Sequence, residues 1–230
     1  MGQHLHAVLE RSAARRLRRM AVWGTLWIVL VFAMLGMAIA ITWVNPAQAQ
    51  ALGNPPPAAR RYRAELTRAA HSQWGLNAPI ASFAAQVHTE SAWKPQAVSR
   101  VGAAGLAQFM PATAQWWCQI NGLGVTDCQP ANPTWALRSL VGYDRYLYAR
   151  TPERFNTRDR FWVALRGYNG GLGHWQAEAR ATGLPSPTRE QVDAACGRAR
   201  RAGVHCPENL GYPKRIMKLQ ALYAAWGAGV

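Results

Sequence analysis

Apolar residues recur along this chain in two modes. From Ala21 to Val44 they run for 24 residues without a charge, through Trp23, Leu26, Trp27, Ile28, Val29, Leu30, Val31 and Phe32. Beyond residue 60 they return every three or four positions, the repeat of helices with one buried face. Pro79 stands before Ile80, Phe83, Ala84 and Val87, and Pro95 bounds that series downstream. Pro111 opens a helix toward Trp116 and Trp117, since proline is tolerated in a first turn. Asn132-Pro133 reads as a cap and first position for a helix carrying Leu137, Leu140 and Leu147. Phe161, Leu165 and Tyr168 form another face, which Gly170-Gly171 ends. Pro213 opens the last helix, with Ile216, Leu219, Tyr223 and Trp226 on one side. Alternating strand patterns are scarce. The pattern predicts a mainly α domain, with a small irregular or β element in the glycine-rich stretch near Gly102.

The uncharged stretch is long enough for a bilayer core, which needs roughly 20 apolar residues. Arg11, Arg15, Arg16, Arg18 and Arg19 precede it, so the positive-inside rule keeps residues 1–20 in the cytoplasm and exports the rest. A cleaved signal peptide is the competing reading, with Ala47-Gln48-Ala49 as the processing site. Its apolar region usually spans only about 7–15 residues, which favours a retained anchor. The expected organisation is a basic segment 1–20, a transmembrane anchor 21–44, a Pro/Ala-rich tether 45–59 and one globular domain 60–230. Either reading places that domain outside the cytoplasm: on a single-pass inner-membrane anchor facing the periplasm, or released there by cleavage after Ala49.

Composition narrows the chemistry. Half of the residues are hydrophobic, too many for a disordered chain. The 26 Lys and Arg outnumber 11 Asp and Glu, a formal charge of +15, and from Arg60 onward the net is +11. These charges are dispersed rather than gathered in a run, so nucleic acid is not the expected partner. No phosphate-cradling glycine loop and no C-x-x-C pair is present, which argues against nucleotide and zinc sites. Cys118 and Cys128 lie ten positions apart, as do Cys196 and Cys206. In an oxidising compartment an even count suggests two disulfides, most simply each near pair closing its own loop. Four cysteines allow three connectivities. Free thiols, or a zinc site around Cys196, His205 and Cys206, are the alternatives.

Acidic residues are few enough to weigh singly. Asp144, Glu153, Asp159, Glu178, Glu190 and Asp193 lie among arginines or polar residues and read as solvated partners. Glu90 differs. It follows Val87 by three, Phe83 by seven and Ile80 by ten, so it shares their apolar face. Burial disfavours its charged form, and the unpaired carbonyls of a last helical turn act in the same direction. A carboxyl that keeps its proton near neutral pH is what a glycosidic oxygen requires of a general acid. The structural alternative is a Glu90 paired with a nearby arginine or capping backbone amides.

From Glu90 the chain reads Glu90-Ser91-Ala92-Trp93-Lys94-Pro95-Gln96-Ala97-Val98-Ser99, then Gly102-Ala103-Ala104-Gly105-Leu106-Ala107-Gln108-Phe109-Met110-Pro111. Gly167-Tyr168-Asn169-Gly170-Gly171 and a block from Glu208 through Tyr212 to Arg215-Ile216 follow in order. This resembles the soluble-lytic-transglycosylase (SLT) family, glycoside hydrolase family 23, whose relatives include goose-type lysozymes. The likeness spans roughly Arg61 to Trp226. It implies an α+β lysozyme-like fold with Glu90 as the single catalytic acid/base. By the same likeness Ser99 helps to hold the substrate N-acetyl group, Gln108 and Met110 line the groove, and Tyr168 and Asn169 sit beside the reacting sugar. Glu208 matches a buried glutamate supporting that tyrosine. Departures are Ala107 for Met, Gly167 and Gly170 for Ala, and Pro213 for Val.

Most glycosidases use two carboxylates, whereas this likeness implies one. It implies cleavage of peptidoglycan between N-acetylmuramic acid and N-acetylglucosamine, leaving a 1,6-anhydro end, with neither cofactor nor metal. The tryptophans 74, 93, 116, 117, 135, 162, 175 and 226 offer faces for sugar rings, although most are expected to pack in the core, and the basic domain suits the carboxylates of peptide stems. Alternatives are a hydrolytic muramidase, with Asp127 or Glu208 activating water, a phage lysis enzyme, and a non-enzymatic wall-binding module. A tethered enzyme of this kind suits local opening of the wall for a secretion or conjugation machine.

Overall fold

The computed structural model describes residues 53–230. The segments 1–20 and 21–44 and the cleavage site after Ala49 lie outside them. Among the described residues no helix is long and apolar enough to cross a membrane. The described residues hold nine α-helices in succession: α1 Pro57–Arg60, α2 Arg63–Trp74, α3 Ile80–Ser91, α4 Pro111–Ile120, α5 Pro133–Tyr148, α6 Thr157–Gly170, α7 Leu172–Ala181, α8 Arg189–Ala194 and α9 Cys206–Leu219, with a 3-10 segment over Gln220–Trp226. The β content of the described residues is two isolated bridges, Val98 with Ala104 and Ala104 with Phe109. The domain is thus mainly α, with its irregular element where the glycines near Gly102 placed it.

Helix α3 is the central element. Every residue from Ile80 to Val87 is buried, because α2, α9 and the 220–226 segment enclose it. Phe83, Phe161, Leu66, Leu137, Leu140 and Leu165 form the main core around it. Local signals act as the chain pattern suggests. Asn132 caps α5 by accepting from the amides of Thr134 (2.9 Å) and Trp135 (3.2 Å), with Pro133 at the first position. Gly171, at φ 84°, ends α6. Both near-pair disulfides form, Cys118–Cys128 and Cys196–Cys206, with Cα separations of 5.8 and 6.0 Å.

Three local expectations are revised. Pro213 does not open the last helix; it lies inside α9, which begins at Cys206 with Pro207 in its first turn. The missing amide at Pro213 forfeits one ladder bond, which the burial of Asn209, Tyr212 and Ile216 on the same helix outweighs. At the front, Pro57–Arg60 is already helical and Ala59 is fully buried, so the folded domain reaches into the tether region 45–59. Glu178 and Asp193 are not solvated partners. Glu178 is fully buried between Arg166 (2.6 Å) and Arg201 (2.8 Å), and Arg166 also reaches Asp193 (2.8 Å). Arg166 completes this set with a 2.9 Å bond to Asn209. The network joins α6, α7, α8 and α9 beside the Cys196–Cys206 loop, over a small second core of Val163, Trp175 and Val192. A buried charge survives only when paired and hydrogen-bonded, and each member here supplies that for the next.

Candidate active site

The site is built around a helix end. Glu90 lies in the last turn of α3, and the two residues after Ser91, Ala92 and Trp93, adopt left-handed backbone at φ 49° and 64°. Non-glycine residues pay for such conformations, so the fold must compensate. Trp93 is 1% exposed, stacks on Tyr62, and donates its indole N–H to Tyr223 Oη at 2.7 Å. That anchor turns the chain back beside Glu90.

The returning segment 97–109 forms the second wall. Ser91 Oγ donates to Leu106 O at 3.0 Å and so docks the loop onto α3. Gly105, at φ 77°, has no room for a side chain, because a Cβ there would come within 1.9 Å of Pro130 O. Gln108 donates to Ala97 O (3.0 Å) and Gly105 O (2.9 Å), bracing the turn from inside. Ser99 Oγ accepts from the Ala103 amide at 2.9 Å.

Between this wall and α5, α6 and α9 lies a cleft of about 450 Å³. Glu90, Ser99, Gln108, Met110, Tyr168, Asn169 and Glu208, separated by up to 118 positions, all border it. Val101, Ala103, Thr113 and Tyr143 complete much of the lining. A larger, mainly apolar groove of about 890 Å³ lies alongside, sharing Phe109 with the cleft and running past the Cys118–Cys128 disulfide. It has no free titratable side chain in its lining, whereas the smaller cleft has Glu90 and Glu208.

Glu90 is partly buried, and Tyr212 Oη donates a short hydrogen bond to its Oε1. Burial drives the carboxyl pKa up, the Tyr212 bond opposes this, the Glu208 charge adds to the rise, and Arg215 opposes it; the result is about 7. The other oxygen remains for a substrate. Tyr168 lies parallel to Tyr212, with ring centroids 6.4 Å apart, and donates to Ala107 O at 2.7 Å. Burial pushes both tyrosine hydroxyls well above their usual range, so they stay protonated as donors. Asn169 accepts from Asn209 Nδ2 at 3.1 Å, tying the cleft edge to the buried Arg166 network.

Several expectations change here. Glu208 is exposed, not buried, and pairs with Arg215 at 2.5 Å. Its first-turn position on α9 faces the cleft mouth, and Tyr212, one turn further along, does the supporting instead. Asp127 sits in a 3-10 turn and does not border the Glu90 cleft. No tryptophan lines the cleft; its aromatic surface is Phe109, Tyr143 and Tyr168. Trp93, Trp117, Trp135, Trp175 and Trp226 are buried in the packing, as expected for most of the tryptophans. Asp144, read as a solvated partner, is fully buried on α5 and bonded to Gln86 at 3.4 Å. Its spacing after Leu140 and before Leu147 held that information, by the reasoning that singled out Glu90. The residues that ligate metals most readily form one group among the described residues, Glu178 with Cys196 and Cys206, and both its cysteines are consumed in a disulfide.

The known proteins to which this chain is similar include lytic transglycosylases. A membrane-bound lytic murein transglycosylase F of Vibrio parahaemolyticus is 37% identical over 100 residues, 44% of this chain and 18% of the relative. One from Maricaulis maris is 34% identical over 117 residues, 50% of this chain and 23% of the relative. The chain thus spans about a fifth of the length of these curated relatives. The 70 kDa soluble lytic transglycosylase of Escherichia coli superposes with a TM-score of 0.50 at 26% identity, over 71% of this chain and 24% of that one. An inactive variant of lytic transglycosylase Slt from Pseudomonas aeruginosa shares the fold, with a TM-score of 0.52 at 22% identity over 71% of this chain and 24% of that one. The transglycosylase SLT domain matches residues 65–186, from α2 through the Glu90 cleft to the loop after α7. This chain belongs to the transglycosylase SLT domain family.

Proposed function

We propose that the domain is a peptidoglycan lytic transglycosylase that cuts between N-acetylmuramic acid and N-acetylglucosamine with Glu90 as its one acid/base. The observation that carries this reading is a carboxyl with a pKa raised to about 7 at the floor of a cleft in a family of that activity. Protonated Glu90 donates to the glycosidic oxygen as the bond from the muramic anomeric carbon breaks. The substrate's 2-acetamido oxygen stabilises the positive carbon, with Ser99 placed to hold that group. Ionised Glu90 then takes the proton of the muramic 6-hydroxyl, whose oxygen closes onto the same carbon. Glu90 is reprotonated, no water is consumed, and a 1,6-anhydro end results. A pKa near the working pH lets one group serve both steps. The names of its relatives and the enzyme–bulgecin A complex of the Escherichia coli protein agree with a wall substrate.

The same reading places the domain outside the cytoplasm on a membrane anchor at 21–44; two formed disulfides support the exported placement. Such a tether confines cutting to one place, as a secretion or conjugation machine crossing the wall requires. Mass spectrometry of muropeptides tests the chemistry: anhydro ends from the wild type and none from Glu90→Gln. A hydrolytic outcome is favoured by one observation, that Glu208 borders the same cleft. Reducing ends in the products would establish it instead.

A further inference from the structure

Two buried polar atoms beneath Glu90 lack partners, and they belong to side chains that already touch. Gln86 Nε2 donates to Asp144 Oδ1 at 3.4 Å, while Gln86 Oε1 and Asp144 Oδ2 have no hydrogen-bond partner. Both residues are fully buried, and among the described residues Asp144 joins no ion pair. Unpaired buried acceptors are rare in native proteins, and two acceptors cannot satisfy one another. A single proton changes that. On Asp144 Oδ2 it supplies a donor that Gln86 Oε1 can accept, so that acid and amide can pair through two hydrogen bonds in an eight-membered ring.

We propose that Asp144 is held as a neutral carboxylic acid, ring-paired with the Gln86 amide, and that this pair is the positioning element under Glu90. Gln86 lies one turn before Glu90 on α3, and Asp144 lies on α5, so the ring fixes the catalytic turn to the helix behind it. The role rests on the function proposed above; the protonation state does not. Burial favours the neutral form most, the Gln86 N–H bond opposes it, and the Glu90 charge adds to it. The other titratable groups around it are Tyr168 on α6, Tyr212 on α9 and Tyr143 on α5, the last pushed up to about 12 by burial, and all three stay neutral hydroxyls. Burial disfavours the aspartate charge, and with Asp144 neutral, Glu90 is the one carboxyl in the interior of the site whose charge changes during the proposed reaction. Glu208 and Arg215 remain outside at the solvent edge.

The protonation state is tested without substrate. Carboxyl carbon NMR of the folded domain should show Asp144 protonated at pH 7; an ionised signal overturns the proposal. Denaturation gives a second, independent reading. A carboxyl protonated when folded and ionised when unfolded lowers stability as pH rises above the unfolded aspartate value. The ratio of unfolding constants, wild type over Asp144→Asn, should therefore rise about tenfold per pH unit between roughly pH 4.5 and 7. A flat or falling ratio overturns it. The positioning role is read from activity. Asp144→Ala admits water beneath α3, lowers kcat/KM about tenfold and moves its alkaline fall to lower pH. Asp144→Asn, which offers N–H where the acid offers O–H, restores both. A pH profile unmoved in Asp144→Ala refutes the positioning role and leaves the proposed wall-cleaving activity standing. No wall cleavage by the wild type refutes that activity and leaves the NMR and denaturation results intact.

Discussion

Tyr212, on the last long helix, donates its hydroxyl hydrogen to Glu90 Oε1 across 122 positions of sequence. The bond holds one carboxyl oxygen and leaves the other toward the cleft. It also favours the ionised form, against the burial that raises the pKa of Glu90 to about 7. Orientation and acidity of the candidate acid are therefore set by the same contact.

Removing that contact has a signed outcome. Tyr212→Phe deletes a hydrogen bond to the charged form, so the Glu90 pKa rises above about 7. The alkaline fall in kcat/KM moves to higher pH, while its maximum drops about tenfold through loss of orientation. A pH–rate series on a soluble muropeptide substrate measures both.

The wild-type profile discriminates between one carboxyl and two. If protonated Glu90 starts the reaction, kcat/KM falls as pH rises through about 7 and does not fall on the acid side above pH 5. A base such as Glu208, needed ionised for hydrolysis, would add an acid-side fall, which Glu208→Gln would abolish. Under the single-acid mechanism that variant keeps anhydro products.

Folding stability carries the same signature. Glu90 has a folded pKa of about 7 against an ordinary value of 4.5, so the folded state holds the proton more tightly. Stability present below pH 4.5 is lost as pH rises to about 7. Glu90→Gln escapes this loss and should gain up to about 3 kcal/mol on the wild type across that window. Urea denaturation of both proteins at a series of pH values measures the difference.

Glycine 170 explains one departure from the family pattern. A Cβ there would come within 2.2 Å of Arg201 Nη1 and 2.5 Å of Asn209 Nδ2. Restoring the family's usual alanine by Gly170→Ala should therefore destabilise the domain by about 2–4 kcal/mol, because the displaced groups belong to the buried ionic network. Thermal unfolding would register this as a fall in Tm. Gly105→Ala should be at least as damaging, since its obstacle is the rigid carbonyl of Pro130.

The two disulfides should separate in effect. Each closes a loop of ten positions, worth about 2–3 kcal/mol by chain entropy. Replacing Cys196 and Cys206 by alanine loosens the loop beside the Arg166 network and lowers Tm. Replacing Cys118 and Cys128 frees the segment whose Pro130 braces Gly105, so kcat/KM should fall along with Tm. Parallel melting curves and rates for the two double variants check this.

Much of this was legible along the chain because helices advertise themselves locally. Asn132-Pro133, Gly170-Gly171 and the three- and four-residue spacing of α3 depend only on neighbours in sequence, and they mark where helices begin, end and face inward. That face placed Glu90 among apolar residues, and the motif after it named the family. The same periodicity pointed at Asp144, but surrounding arginines and polar residues made it look solvated. Burial of Asp144, exposure of Glu208 and the pairing of Glu178 with Arg166 and Arg201 depend on how helices cross. A residue's spacing states which side of its own helix it occupies. Only the packed molecule decides what lies opposite, and in a low-dielectric interior that partner determines whether a carboxyl is charged, neutral or catalytic.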